Sequence, residues 1–283
     1  MKSSTEIVVE GLCFPEGPRW HDAALYFSDM HARRVMRFAP GGRAEVVVEI
    51  PDDEPSGLGW LPDGRLLIVS MHRRRLLRLD PDGLVEAADL SEIASFDCND
   101  MVVDDLGRAY VGNLGSDVNA GEKARPAELI LVPPDGPPQI AANALLVPNG
   151  CVITPDRRTL IVAESFGARL TAFDVHEDGS LGKGRTWADL GDGSVPDGIC
   201  LDAEGAIWVA LPVASEVVRV REGGEITRRI PVKGLAVACM LGGDDRRTLY
   251  ICAANTHSPG ASEPTRDGRI ECIRVEVPGA GFP

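Results

Sequence analysis

The chain has 283 residues, of which 44% are hydrophobic and 25% charged, enough apolar material for one large domain or two ordinary ones. Its formal net charge of −14 argues against a nucleic-acid partner, which would need a basic surface. No apolar run approaches the roughly 18 residues of a membrane-spanning helix, and residues 1–11 lack the apolar region of a signal peptide, so we expect a cytoplasmic protein without a membrane partner.

The cysteine usage fits the same compartment. The chain has seven cysteines, an odd number, and no two of them form a Cys-x-x-Cys motif. Without a secretory signal we expect them to be reduced and mostly buried, and a thiolate zinc site is not expected. They are Cys13, Cys98, Cys151, Cys200, Cys239, Cys252 and Cys272.

Taken in chain order, the predicted elements repeat six times. Each copy carries short runs of aliphatic and β-branched residues divided by Asp-Gly, Pro-Asp-Gly or Gly-Gly turns, and none shows a sustained helical period. Matching strand starts fall 41 to 51 residues apart, at Leu25, Leu66, Ala109, Leu160, Ile207 and Leu249.

Four short strands in a repeat of roughly 40 to 50 residues are typical of a propeller blade. Six copies therefore predict an all-β, six-bladed β-propeller of four-stranded blades, formed by residues 1–283 as a single domain. Residues 5–11 precede the first repeat without a partner of their own. We expect them to supply the outer strand of the last blade and so close the ring. The alternative, a two-sheet sandwich, gives no reason for a fixed period.

One position of the repeat carries an oxygen-bearing side chain in four of the six copies. Glu16, Asn99, Asn149 and Asp197 lie nine to eleven residues before the strand starts given above. In a propeller these segments enter the innermost strands, so ring closure would bring the four side chains to the mouth of the central channel. Two carboxylates and two amide oxygens make an oxygen-only site, which suits a hard divalent cation such as Ca²⁺, Mg²⁺ or Mn²⁺.

A simpler interpretation is that Pro-Asn-Gly at 148–150 and Pro-Asp-Gly at 196–198 are only turns, which Asn, Asp and Gly favour for backbone reasons. A turn would accept either residue, whereas a cation needs both anionic and neutral oxygens. The matched positions of Glu16 and Asn99 favour the metal site.

The sequence resembles the SMP-30/gluconolactonase/LRE family of regucalcin-like proteins over nearly its whole length. The motifs that carry the resemblance are PEGP at 15–18, ND at 99–100, PNG at 148–150, PDG at 196–198 and ACMLGGDDRRTLYICAA at 238–254. The resemblance implies a six-bladed propeller with a divalent metal at its axis. As in many members of the family, it also implies hydrolysis of lactones.

The resemblance assigns roles to single residues. It implies that Glu16, Asn149 and Asp197 bind the metal. It also implies that Asn99 contacts the substrate or, as in the similar diisopropyl-fluorophosphatase propellers, joins the metal ligands. Sugar-lactonase members often carry an Arg two residues before this Asn, where the present chain has Asp97. An ionised Asp cannot donate a hydrogen bond to a hydroxyl, so we expect a lactone with fewer or differently placed hydroxyls than gluconolactone.

Three further residues are candidates for substrate binding. His31 and His72 occupy equivalent turns of the first two repeats and are predicted to line the entrance; the alternative is an inherited turn with half-exposed imidazoles. Glu122 lies in the variable segment 113–128, which is expected on the same face. The Pro-, Gly- and Ser-rich segment 255–268 is predicted to be a loop that overhangs the site or is mobile.

These observations predict a divalent-metal-dependent lactone hydrolase. Ca²⁺ is the first expectation for the cation, with Mg²⁺, Mn²⁺, Zn²⁺ or Fe²⁺ as alternatives. It would polarise the lactone carbonyl and acidify a water, and Asp197 would be the general base. The expected partner is a small-molecule lactone, and the expected assembly a monomer or small homo-oligomer. The alternative functions are hydrolysis of organophosphate-type triesters and non-catalytic binding of calcium or of another protein.

Overall fold

Nearly all of the regular secondary structure in the computed structural model, which describes residues 4–282, consists of short β-strands. The helical elements in this range are a 3₁₀ turn at Met30–Ala32 and one helix, α1, at Pro259–Thr265. The strands in chain order are β1 (Glu6–Leu12), β2 (Pro15–His21), β3 (Ala24–Asp29), β4 (Arg34–Phe38), β5 (Ala44–Glu49), β6 (Pro55–Trp60), β7 (Leu66–Ser70), β8 (Arg75–Asp80), β9 (Gly83–Asp89), β10 (Cys98–Val103), β11 (Ala109–Asn113), β12 (Pro126–Val132), β13 (Gln139–Leu146), β14 (Pro148–Ile153), β15 (Thr159–Glu164), β16 (Arg169–Asp174), β17 (Arg185–Asp189), β18 (Ile199–Leu201), β19 (Ile207–Leu211), β20 (Glu216–Val220), β21 (Ile226–Pro231), β22 (Leu235–Gly242), β23 (Thr248–Ala254) and β24 (Gly268–Arg274).

The strands form six antiparallel sheets of four, which are the blades. Blades 1 to 5 each use four consecutive strands, from β2–β5 in blade 1 to β18–β21 in blade 5. Blade 6 combines β22, β23 and β24 with β1, which pairs with β24 from Glu6 opposite Cys272 to Leu12 opposite Gly268. The predicted six-bladed propeller, with its ring closed by the N-terminal strand, is confirmed.

The first strand of each blade is the innermost. β2 packs against β6, β6 against β10, and the contacts continue through β14, β18 and β22, which returns to β2. We call these six the inner strands. Because the strands of a blade run antiparallel, the starts of the inner strands lie on the same face of the ring as the connections between second and third strands. We call this face the mouth face.

Burial decreases from the axis outward, as the sequence pattern requires. The second strands β7, β11 and β19 are buried at every residue, because neighbouring blades cover both of their faces. The outer strand β5, with the sequence AEVVVE, has no fully buried residue. The apolar core therefore lies between adjacent blades. For example, the buried Trp208 of β19 in blade 5 belongs to the same apolar cluster as Met240 of β22 in blade 6.

Glycine allows the inner strands to approach one another closely. A Cβ atom added to Gly57 would lie 2.4 Å from the backbone nitrogen of Met101 in the next blade. A Cβ added to Gly150 would lie 2.6 Å from the backbone nitrogen of Ile199. Such contacts are too short for real atoms, so these glycines are a packing requirement as well as turn residues. The glycines that follow the candidate site position are Gly17, Gly57, Gly150 and Gly198.

Blade 3 has Asp100 in place of this glycine. Its carboxylate accepts a hydrogen bond of 2.7 Å from Arg19 of β2, and both side chains are buried. Arg19 also donates to the carbonyl of Pro18 at 2.9 Å and to that of Met101. A buried ion pair therefore links blade 1 to blade 3, past the intervening blade 2.

The cysteines behave as predicted. None of the seven forms a disulfide within residues 4–282; six are buried and Cys272 is half-buried. Burial raises the pKa of Cys98 to about 12, so this thiol stays protonated at neutral pH. No helix within residues 4–282 is long and apolar enough to cross a membrane.

The segment 255–268 is not the loop that its composition predicted. Residues Pro259–Thr265 form α1, which starts with Pro at its first position and ends at Arg266 in a left-handed conformation, φ 48°. The helix packs on the 3₁₀ turn of blade 1. Proline is well suited to the first turn of a helix, where its missing N–H would have no partner, so a Pro-rich composition did not exclude this short element.

We expect Gly57→Ala to destabilise the ring. The added methyl group would meet backbone atoms of Asp100 and Met101, which strand pairing holds in place. The free energy of unfolding in urea should fall by about 1–3 kcal/mol. Gly260→Ala is the matched control, because nothing lies within 4 Å of its added methyl group. A Gly57→Ala variant as stable as wild type would show that the inner strands can separate enough to accept the methyl group.

Candidate metal centre and channel mouth

The four candidate ligands lie at the starts of inner strands. Glu16 is in β2, Asn99 in β10 and Asn149 in β14, and Asp197 lies two residues before β18. Each is half-buried between two buried neighbours in the chain. Since the inner strands surround the channel, the exposed part of each side chain faces the channel. The structure thus places all four predicted residues at the channel mouth.

Asn149 is oriented by the hydrogen bonds that its amide nitrogen donates. Nδ2 donates to Ser165 Oγ at 3.3 Å, and the amide also donates to the Asp197 carboxylate. Ser165 Oγ donates in turn to the carbonyl of Pro196 at 2.7 Å, which fixes blade 4 against the segment that carries Asp197. Because the nitrogen makes these contacts, Oδ1 of Asn149 is available as a neutral oxygen ligand.

The carboxylates of Glu16 and Asp197 repel each other in the channel. Burial raises the pKa of Glu16 well above its ordinary value, and the charge of Asp197 raises it further. Burial also raises the pKa of Asp197, with a contribution from the charge of Asp100. The backbone N–H of Gly17 donates to Glu16 Oε2 at 2.9 Å but does not offset these effects. Carboxylates in this situation favour protonation or a bound cation.

The charges around the channel match a dication. Glu16, Asp197 and Asp100 give three negative charges when ionised, and Arg19 gives a buried positive charge beside them. In the described part of the chain, no three His, Cys, Asp or Glu side chains gather as they would in a metal cage of those residues alone. A cation here would therefore bind two carboxylates together with amide and water oxygens, a donor set that Ca²⁺ and Mg²⁺ accept.

Asn99 is oriented differently from Asn149. Its Oδ1 is 3.4 Å from Oγ of Ser56, the buried residue that occupies the site position in blade 2. A hydroxyl that donates to Oδ1 leaves the amide N–H groups of Asn99 to donate to another oxygen. This orientation suits contact with a substrate oxygen better than it suits metal ligation.

Asp97 does not present an isolated negative charge to the mouth. Its Oδ2 lies 2.7 Å from Nδ1 of His72, and Nε2 of the same ring lies 3.4 Å from Oε2 of Glu54. The hydrogen bond to Asp97, followed by that to Glu54, raises the pKa of His72 to about 10. The imidazolium is therefore charged at neutral pH and offsets part of the acidity that the sequence alone suggested for this side of the mouth.

His31 is at the predicted turn, but its environment differs from that of His72. The ring is 4% exposed, stacks on Phe14 with centroids 4.7 Å apart, and its Nδ1 lies 2.6 Å from Ser262 Oγ of α1. Burial lowers the pKa of His31 below its ordinary value. The expectation of a half-exposed imidazole is wrong for His31, because α1 covers the ring.

Glu122 lies in the connection between β11 and β12, on the mouth face as expected. Its side chain is exposed and forms an ion pair of 2.9 Å with Arg125. No contact joins it to the candidate ligands in the described structure, so a role in substrate binding stays a prediction.

Sequence reasoning missed the residues that hold the site together. Arg19 and Asp100 pair between blades 1 and 3, and Ser165 connects Asn149 to the next blade. One signal was present in the sequence: Asp100 stands where four other copies of the repeat carry Gly. The partner of Asp100 could not be inferred, because the pairing joins residues 81 positions apart.

The chain belongs to the SMP-30/gluconolactonase/LRE-like family, whose family model matches residues 14–255. This range includes every candidate ligand described above.

Two curated relatives align with almost the whole chain. A 6-deoxy-6-sulfogluconolactonase from Pseudomonas putida is 28% identical over 281 residues, covering 95% of this chain and 93% of the relative. A pentonolactonase from Haloferax volcanii is 27% identical over 289 residues, covering 99% of this chain and 96% of the relative. Both names describe enzymes that act on lactones of sugar acids.

Solved structures agree in fold. A luciferin-regenerating enzyme superimposes with a TM-score of 0.84 at 18% identity, covering 98% of this chain and 97% of that one. Regucalcin from Agrobacterium tumefaciens, described as a calcium-binding protein, gives a TM-score of 0.81 at 22% identity. The superposition covers 96% of this chain and 93% of regucalcin. At these identities the likeness shows the propeller architecture.

We expect the His72 ring to stay protonated at least to about pH 9. Its pKa is raised to about 10, so the stability from the ion pairs is present below the ordinary value of 6.5 and is lost as the pH rises through about 10. Because His72 is half-exposed, the contribution to stability is small. The imidazole Cε1–H chemical shift in NMR gives the midpoint directly. Asp97→Asn should lower that midpoint by more than about one unit, and a wild-type midpoint near 6.5 would contradict the ion pairing.

Proposed function

We propose that the chain is a divalent-metal-dependent hydrolase that opens a lactone of a sugar or small organic acid. The observation that carries the proposal is the pair of repelling carboxylates, Glu16 and Asp197, beside the free Oδ1 of Asn149 at the channel mouth. Two relatives that align over nearly their whole length are named lactonases, which supports the reaction class. The description of a structural neighbour as calcium-binding supports Ca²⁺ as the first cation to test.

Each proposed ligand has a support that holds it in place. The backbone N–H of Gly17 donates to Glu16, Asn149 donates to Asp197, and Ser165 holds Asn149. These residues would hold the cation without large rearrangement. When bound, the cation would polarise the lactone carbonyl and make a nearby water more acidic.

Asp197 is the proposed general base. Its carboxylate would accept a proton from the water whose oxygen attacks the carbonyl carbon. The ester C–O bond of the ring then breaks, and the alkoxide takes up one proton from Asp197 or from solvent. The product is a single hydroxy acid, because the leaving group stays attached. Asn99 would donate its amide N–H to a substrate oxygen while Ser56 holds its Oδ1.

A lactone panel tests this function. The protein is treated with a chelator and assayed on sugar and aliphatic lactones with each of Ca²⁺, Mg²⁺, Mn²⁺, Zn²⁺ and Fe²⁺, with a phosphotriester as the alternative substrate. We expect hydrolysis of a lactone that is lost on chelation and restored by a cation, while circular dichroism shows the protein still folded. A preference of tenfold or more for gluconolactone over all others would contradict the interpretation of Asp97. Turnover of the phosphotriester alone, or of no substrate, would contradict the proposed function.

Glu16→Gln should weaken cation binding. The amide keeps an oxygen in place but removes one of the two charges that attract the ion, so the dissociation constant for Ca²⁺ should rise by about tenfold or more. Isothermal titration calorimetry measures this constant. Glu177→Gln, an exposed position after β16, removes the same charge away from the site and is the matched control. Identical affinities in Glu16→Gln and wild type would remove Glu16 from the ligands.

Asp197→Asn separates metal binding from proton transfer. The amide oxygen still ligates, although more weakly, so the loss of cation affinity should be moderate and overcome by raising the ion concentration. Turnover should stay lower by a factor of about 10²–10⁴ at saturating cation, because the proton acceptor is gone. Recovery of the wild-type kcat at saturating cation would show that Asp197 is a ligand only.

A further inference from the structure

Four blades use the same turn on the mouth face. In blades 1, 2, 4 and 5, the connection between the second and third strands has four residues, and the fourth is left-handed. These fourth residues are Arg33, Arg74, Ala168 and Ser215, with φ of 56°, 52°, 50° and 54°. Equal length and a left-handed fourth residue give the second residue of each turn a corresponding position on the mouth face. The second residues are His31, His72, Phe166 and Val213.

The equivalent positions differ in polarity between the two halves of the ring. Blade 2 carries the half-exposed His72 and blade 1 carries His31, which α1 covers, whereas blades 4 and 5 carry Phe166, 51% exposed, and Val213, 71% exposed. Exposed apolar side chains of this size are scattered elsewhere on the protein, but at different places. Ile7, Val46, Val85 and Ile140 lie on outer strands, and Leu106 lies in the turn between β10 and β11 on the opposite face.

A second position repeats this division. Two residues before the site position, blades 2 and 3 carry Glu54 and Asp97, which hold the charged His72. At the same offset, blade 5 carries the half-buried Val195, whereas Val147 of blade 4 is 3% exposed and packs with Met71 and Leu114. The mouth therefore has an ionic side, at blades 2 and 3, and an apolar side, at blades 4 and 5.

We propose that the substrate is a lactone bearing an apolar substituent, and that Phe166 and Val213 determine this specificity. The inference rests on the proposed lactone hydrolysis and names its substrate class. The lactone ring would lie at the axis, with its oxygens toward Asn99, and the substituent would extend over blades 4 and 5. An apolar group covered by Phe166 and Val213 removes apolar surface of both molecules from water, whereas a polyhydroxylated chain there would lose hydrogen bonds to water.

Two lactones that share one ring and differ only in the substituent show how much the substituent contributes to kcat/KM. γ-Butyrolactone has no side chain, and γ-octalactone adds a butyl group to the same ring. With Ca²⁺ present, wild type should favour γ-octalactone in kcat/KM by about tenfold or more. Phe166→Ser and Val213→Ser should each reduce this ratio several-fold, with the change in KM rather than kcat. Leu106→Ser, equally exposed on the opposite face, is the matched control and should keep the wild-type ratio.

A binding measurement makes the test independent of turnover. 3-Butylcyclopentanone replaces the ring oxygen of γ-octalactone by a methylene group, keeps the butyl group at the same ring position and has no ester bond, and calorimetry gives its affinity. Phe166→Ser should bind it several-fold more weakly than Leu106→Ser does. Wild-type binding without hydrolysis of any lactone would contradict the proposed function and leave this specificity supported. Hydrolysis with the same lactone ratio in wild type and Phe166→Ser, or no binding of the ketone by wild type, would overturn the specificity inference.

Discussion

The electrostatic repulsion between Glu16 and Asp197 is the constraint on which the rest of the site depends. The two carboxylates come from blades 1 and 5, and only closure of the ring puts them in one narrow channel. Removing charges from water is unfavourable unless an opposite charge is near. The fold holds the carboxylates together, and under the proposed function a dication would lower the free energy of this arrangement by neutralising both charges.

The scaffold supplies the energy to hold this arrangement through packing between inner strands. Glycines directly after the site positions let backbones of adjacent blades touch, and the pair Arg19–Asp100 links blades 1 and 3 beside the carboxylates. The strand β1 closes the ring on β24 and so fixes blade 6 against blade 1. Positions of side chains at the axis are therefore set by contacts between blades, more than by the loops that carry them.

Much of the fold could be predicted from the sequence, because a sixfold period of strand and turn residues leaves few alternatives. The register of the repeat also placed Glu16, Asn149 and Asp197 at equivalent points, since each blade enters the axis in the same way. That α1 buries His31 could not be predicted, because this burial depends on a contact between blade 6 and blade 1. The ion pairs of His72 were equally hidden, since Glu54 and Asp97 belong to different blades.

The most direct test of the central claim is anomalous diffraction from crystals of the protein soaked in MnCl₂. The account predicts one strong anomalous peak at the channel mouth, in bonding contact with carboxylate oxygens of Glu16 and Asp197 and with Oδ1 of Asn149. The absence of a peak there at saturating Mn²⁺, or a peak bound only by other residues, would contradict it.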